Sequence, residues 1–329
     1  MSRSEWIIDR TEALGRQGMV VAQHELAAEV GVGVLADGGN AIDAAVATAF
    51  ALGVVEPFMS GIGGGGLMLI YLAGSRETVA IDFGMCAPLA AHPDLYALLP
   101  GTSATRFGWR AVEGDANVHG PLAIAVPGTV AGLVTALERY GTRPLADLLQ
   151  PAIRLARDGF PISWHTSLEM AQDAALLARY PSTRAVFTRD GLPLPVRTGL
   201  EPTILRQPDL ARSLEAIARE GAETFYRGEL GRQLVEGLRE LGAILTMEDL
   251  ERYAVRYSAP LWGGVPRLPD RDGTRAERWS DRPRIPASAR LLPARRVRAQ
   301  CESHASRPHR SFPAGVRRPV RLSRRPRLR

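Results

Sequence analysis

The sequence contains no lysine; all 41 of its basic residues are arginine. Guanidinium groups fork onto phosphates and carboxylates in a fixed planar geometry. Here, however, the arginines of the body are scattered among acids, which argues against a clamp for such groups. The absence of lysine reads as a coding bias. Cysteine is almost absent too. Cys86 and Cys301 cannot build a disulfide framework, and no spacing around them matches a metal site. The six histidines show no HExxH-like pattern, so neither metal nor cofactor is expected.

Long hydrophobic runs are also missing. The longest apolar stretch, Ala41 to Val55, is interrupted by Asp43 and is too short to span a bilayer. Met1 to Gly18 is polar and charged, with no apolar core of a secretory signal. These absences predict a soluble, cytoplasmic chain with no membrane partner. At 329 residues and 45% hydrophobic content, it has enough material for a large core.

The net charge of +6 hides a division. Residues 265–329 hold 19 arginines and five acids, a net +14, while residues 1–264 hold 22 basic and 30 acidic residues, a net −8. The tail also carries nine prolines and no apolar periodicity, so it reads as disordered. Its charge attracts phosphate non-specifically. Only Trp279 and Phe312 offer base stacking, and nucleic acid is not expected as an evolved partner. A non-enzymatic protein whose basic tail engages nucleic acid or anionic surfaces remains the alternative reading.

The body alternates helices and strands. Ala27 to Ala36 reads as a helix closed by Gly38-Gly39. Asn40 and Asp43 form a capping box for a nearly uncharged, buried helix from Ala41 to about Leu52. Leu67 to Leu72 and Thr78 to Phe83 read as strands joined at Gly74-Ser75, and residues 84–120 as loop. Helices are predicted over Thr129–Tyr140, Leu145–Arg157 with a break at Pro151, Asp209–Glu220 and Phe225–Leu241. Thr246 and Asp249 box a short helix running toward Tyr253.

Several strings then occur in a telling order. They include Asp37-Gly38-Gly39-Asn40-Ala41-Ile42-Asp43, then Glu56-Pro57 leading into Gly61-Ile62-Gly63-Gly64-Gly65-Gly66, and Ile81-Asp82-Phe83. Val126-Pro127-Gly128-Thr129, Pro151-Ala152-Ile153-Arg154, Phe225-Tyr226-Arg227-Gly228 and Leu245-Thr246-Met247-Glu248-Asp249-Leu250 follow. From about residue 15 to about 264 the chain resembles the large-subunit part of the gamma-glutamyltransferases. The resemblance implies an α+β fold, the αββα sandwich of N-terminal-nucleophile hydrolases, incomplete here because the small-subunit half is missing. It divides the chain into a large-subunit-like domain, 1–264, and the tail, 265–329. It also implies a small-subunit counterpart as partner, bearing a threonine whose free amine serves as its own base. The reaction implied is transfer or hydrolysis of the gamma-glutamyl group of glutathione and related amides.

Two departures follow. The family nucleophile sits in a Thr-Thr-His type motif, and the nearest string here is His165-Thr166-Ser167, in a helical context. No catalytic residue is therefore assigned, and the chain is expected to be inactive alone. Second, the family places an arginine after Asp-Phe to grip the substrate's α-carboxylate. Gly84 stands at that position, beside Asp82. Glycine offers no guanidinium, which points toward a branch acting on other amides. Asp82 either orients a substrate group or caps a turn. The Gly61–Gly66 run reads as close backbone packing in preference to a phosphate cradle. Cys86 reads as packing in preference to a nucleophile paired with His92 or His119. Where the tail begins, the family has a segment leading into the small subunit, so the abrupt Arg-Pro text suggests a reading-frame shift. Strand edges and apolar faces that the missing half would cover should stand exposed.

Overall fold

The computed structural model describes residues 13–102, 108–196 and 201–260. Cys301, Trp262-Gly263-Gly264 and the 265–329 tail lie outside the described residues. So does the boundary at Gly264.

Helix α1 (Glu25–Ala36) leads through Gly38, at φ +83°, into α2 (Ala41–Val55). The capping box at the start of α2 forms as the sequence predicts. Asn40 Oδ1 accepts from the Ile42 and Asp43 amides at 2.8 and 2.9 Å, and Asp43 Oδ2 accepts from the Asn40 amide at 2.7 Å. Val46, Ala47, Phe50, Ala51, Val54 and Val55 make α2 the centre of the core. Burying one such Val or Phe side chain is worth about 1.5–3 kcal/mol.

Strands β1 (Gly66–Leu72) and β2 (Glu77–Phe83) pair antiparallel, from Gly66 opposite Phe83 to Leu72 opposite Glu77. A short hairpin follows, β3 (Leu98–Thr102) with β4 (Arg110–Val112). Next come α3 (Thr129–Tyr140) and α4 (Leu145–Asp158). The middle of the chain contributes β5 (Phe160–Pro161), α5 (Trp164–Gln172), α6 (Ala174–Arg179), α7 (Pro181–Phe187), β6 (Thr188–Arg189), β7 (Leu192–Pro193) and β8 (Ile204–Leu205). Then follow α8 (Pro208–Glu220), α9 (Glu223–Tyr226), α10 (Glu229–Glu240), α11 (Met247–Glu251) and β9 (Arg256–Ser258). Strand β9 returns to β2, giving the sheet order β1-β2-β9. Helix α3 packs on β2, α2 lies against α3, and α1 and α4 lie against α2.

Three expectations need correction. Residues 84–120 are not all loop, because the β3–β4 hairpin lies among them. Pro100 and Gly101 hid it, and both are tolerated because β3 is exposed along its whole length. Pro151 does not break α4. An interior proline costs about 3 kcal/mol. Here Leu148, Leu149, Ala152, Ile153 and Ala156 are buried and hold the helix continuous. Pro151 also lines an open groove between α1 and α4, where water can reach the carbonyl that loses its N–H partner. Finally, Phe225–Leu241 is not one helix, since the chain turns at Arg227-Gly228 between α9 and α10. A Cβ on Gly228 would lie 2.6 Å from the Thr224 Cα, so the return is too tight for any other residue.

No described helix is long and apolar enough to cross a membrane.

Candidate functional site

The site is built at the end of β2, where Phe83 stops the strand and Gly84 begins the next segment. The Phe83 ring fills the space beside two glycines. A Cβ on Gly132 would sit 2.0 Å from the Phe83 Cγ, and one on Gly66 would sit 2.8 Å from its Cε2. Glycine at both positions is what lets α3 and β1 close on the ring.

The Gly61–Gly66 run wraps the same point. A Cβ on Gly65 would come within 2.7 Å of the Phe83 carbonyl oxygen, whereas Gly61 and Gly63 face open space. Gly64 offers its carbonyl to the Gly128 amide at 2.7 Å and the Thr129 amide at 3.1 Å. Those amides open α3, and an anion held there would need them. They are already satisfied, so the run packs backbone on backbone. A cleft of about 530 Å3 lies beside it, walled by the run, Phe58, Phe83 and Leu133. A larger groove of about 770 Å3 between α1 and α4 lies away from the β2 terminus and is lined by neither Asp82 nor Gly84.

Asp82 caps the turn out of β2. Its Oδ1 accepts from the Gly84 amide at 2.9 Å, and its Oδ2 accepts from the Arg256 guanidinium at 2.7 Å. Arg256 is its cross-strand partner on β9, so sheet register brings the two charges together. Of the two roles open to Asp82 in the sequence, the turn cap is therefore occupied. Gly84 is held from its other end, because the Tyr253 hydroxyl donates to its carbonyl at 3.0 Å. Tyr253 stacks on Tyr226, with ring centroids 5.6 Å apart. The Tyr226 hydroxyl in turn donates to the Pro127 carbonyl at 2.9 Å and accepts from the Ala131 amide at 3.2 Å. Burial pushes both phenols well above their ordinary range, so both stay protonated and able to donate. This tyrosine pair was not singled out in the sequence. Tyr226 belongs to one of the ordered strings, but its partners Ala131 and Pro127 lie 95 and 99 residues away, and Tyr253 reaches Gly84 across 169 residues.

The remaining candidates separate from this point. Asn40 and Asp43 are structural. Asp43 is fully buried and also accepts from the Thr142 amide at 2.8 Å, the Thr142 hydroxyl at 2.6 Å and the Arg143 amide at 3.2 Å. Burial alone would raise its pKa, but these bonds to the ionised form carry it below the ordinary value. Glu56, nearly buried after α2, shifts the other way: burial raises its pKa, and the charge of His165 only partly offsets this. Cys86 forms a backbone bridge with Val126, and its carbonyl accepts from the Val126 amide at 2.8 Å. His119 Nδ1 lies 2.8 Å from the Tyr180 hydroxyl. Thr166 is buried at the start of α5, bonded to the capping Ser163, and His165 faces Glu169 at 3.6 Å. Among the described residues, no group of three or more His, Cys, Asp or Glu is placed to hold a metal ion.

The family model described as gamma-glutamyltranspeptidase matches residues 27–268, and the chain belongs to that family. It is 40% identical over 250 residues to a glutathione hydrolase proenzyme of Bacillus subtilis (strain 168), covering 76% of this chain and 40% of that protein. It is 42% identical over 260 residues to an acylase ACY 1 proenzyme of Pseudomonas sp. (strain V22), covering 79% of this chain and 45% of that protein. Its fold matches the crystal structure of Helicobacter pylori gamma-glutamyltranspeptidase with a TM-score of 0.67 at 35% identity, over 78% of this chain and 69% of that one. The α+β fold of the family is thus present in part. The chain spans less than half the length of the curated relatives it matches.

Proposed function

We propose that this chain is the large-subunit-type portion of an amide acyl-transfer enzyme and forms one wall of its substrate cleft. Asp82 and Gly84 lie at that wall. The observation that carries the reading is the braced turn at the end of β2, where Asp82, Arg256 and Tyr253 hold Gly84 between them. That much hardware around a glycine suits a surface that must keep its shape when a substrate lies on it.

In the whole enzyme, an N-terminal threonine hydroxyl attacks the amide carbon, and its own amine takes the proton. That proton passes to the substrate's departing amine as the C–N bond breaks and a threonine ester forms, and water or an amino acceptor then attacks the ester and frees the threonine hydroxyl. This chain's sequence contains no Thr-Thr-His string. The nucleophile and the oxyanion donors are assigned to a small-subunit counterpart, and the chain alone turns nothing over. Gly84 brings no cation to the acyl group. Together with the likeness to an acylase proenzyme, this supports substrates beyond gamma-glutamyl amides.

The Arg-Pro text after Gly264 is assigned to a reading-frame shift. The coding DNA downstream of Gly264 tests this. A second frame continuing into Thr-Thr-His and Gly-Gly strings is the expected finding. Nonsense in both other frames would remove the frame shift and leave the tail as a selected feature.

A further inference from the structure

The chain enters α1 by a reversal. Val20 packs where Gly31 and Thr48 meet: a Cβ on Gly31 would lie 2.8 Å from the Val20 Cγ1 and 2.2 Å from the Thr48 Oγ1. Gly18 lies against Leu35, since a Cβ on it would be 3.1 Å from the Leu35 Cδ1. Residue 20 beside 31, and 18 beside 35, make this segment a strap running antiparallel along α1. Val20 is half-buried and Ala22 packs against the core, but Leu14, Met19 and Val21 are exposed. Among the described residues, no main-chain hydrogen bond ties residues 13–23 to the helix. The buried Thr48 Oγ1, where Val20 and Gly31 meet it, has no hydrogen-bond partner, so closing the strap over it brings no compensating bond.

His24 is the residue at which the strap turns into the helix. Its backbone is extended, and its Nδ1 accepts from the Leu26 amide at 3.3 Å, as an N-cap side chain does. That bond requires a neutral ring with its proton on Nε2. The ring meets Phe160 of β5 in a T-shaped contact, centroids 6.1 Å apart. Burial lowers the pKa of His24, and the charge of Glu25 only partly offsets this. The other charges around this corner are Asp158 of α4, which lines the groove with Leu26 and Gly159, Arg206, which lies against Gly159, and Arg16 in the strap. Strand β5 brings the Phe160 ring and no charge.

We propose that His24 is a proton-operated latch: protonation of its ring uncaps α1 and frees the strap from the α1–α2 surface. A proton on Nδ1 turns the acceptor into a donor, which then faces the Leu26 N–H donor to donor. It also sets a positive charge at the N-terminus of the helix, where the macrodipole is already positive. Both penalties fall on the residue that holds the turn, and the strap has no main-chain bonds to resist them. Once the strap lifts, water reaches the Thr48 hydroxyl, which favours the open form. The closed form binds the proton less readily than the open one. The latch is therefore fully closed above the ordinary histidine value of 6.5 and opens as pH falls through 6.5 toward the lower folded value. It needs neither nucleophile nor substrate, so it is independent of the acyl-transfer reading.

Hydrogen–deuterium exchange of the full chain at about pH 7.5 and about pH 5, corrected for the intrinsic exchange rate, tests it. Protection of the Leu26, Ala27 and Ala28 amides should fall about tenfold at the lower pH, while α3 keeps its protection. His24→Asn retains a capping oxygen and does not titrate, so it should be protected at both values. His24→Ala should be open at both. The strap is read separately through Val20→Cys, labelled with a disulfide reagent that reacts in acid and scored by mass spectrometry of the labelled peptide. Its labelling should rise about tenfold at the lower pH, and should not rise when His24→Asn is also present. Protection of wild type that ignores pH overturns the proposal. So does a pH effect that survives His24→Asn, labelling at position 20 that is indifferent to His24, or protection lost throughout the chain at the lower pH.

Discussion

Removing the Asp43 carboxylate should be the most damaging single polar change in the body. The group is fully buried and accepts from three backbone amides and one hydroxyl. Asp43→Ala takes away half of the α2 capping box, worth about 1 kcal/mol. It also strands buried donors of Asn40, Thr142 and Arg143, at about 1–3 kcal/mol for each that finds no water. Water will reach some of them, so a loss of about 3–5 kcal/mol is expected. Asp43→Asn keeps one carbonyl oxygen and should cost about half as much. The acid behaviour supplies a second, independent signature. The folded pKa of Asp43 lies below its ordinary value of 3.8. Its contribution is therefore complete above 3.8 and is lost as pH falls through the lower folded value. Glu56 has the opposite sign, because its raised folded pKa removes stability as pH climbs through that value. Comparing wild type with Asp43→Asn cancels the Glu56 contribution. Urea unfolding followed by circular dichroism, at several pH values, reads both effects. The gap between the two proteins should be widest near neutrality and shrink in acid. A gap that does not narrow, or an Asp43→Ala variant within about 1 kcal/mol of wild type, refutes the network.

Other substitutions probe the braced turn and its neighbours. Gly132→Ala places a methyl 2.0 Å from the Phe83 ring, and a loss of at least about 3 kcal/mol is expected in the same unfolding assay, whereas Gly74→Ala, which meets nothing within 4 Å, should stay within about 0.5 kcal/mol. Tyr253→Phe deletes the bond to the Gly84 carbonyl and should cost about 1 kcal/mol, with faster amide exchange in the segment after β2. Arg256→Met breaks a partly exposed ion pair and should cost under about 1 kcal/mol, with the difference fading in high salt.

What was legible in the sequence was local. Asn40 and Asp43 announce a capping box because the motif closes within three residues. Its anchoring to Thr142 and Arg143 depends on contacts 99 and 100 residues away, for which no spacing rule exists. Asp82 shows the same division. Its bond to the Gly84 amide is a two-residue turn chemistry readable in advance, while its partner Arg256 comes from sheet register 174 residues on. The glycine run was recognisable as packing, but only Gly65 and Gly66 within it are in close contact with the β2 terminus. Pro151 was misleading because local helix rules ignore five buried side chains that hold α4 in one piece. The tyrosine pair stayed hidden because two isolated phenols carry no pattern until the fold stacks them.

Under the proposed function, this chain lines a substrate cleft and the nucleophile belongs to a separate small-subunit counterpart. The most direct measurement is release of aniline from a gamma-glutamyl anilide by the purified chain, with its intact mass followed in parallel. No release above buffer and an uncut mass are expected. Turnover, or a mass split into two fragments, would contradict it and place a nucleophile within these 329 residues, with Cys86→Ala the first variant to test.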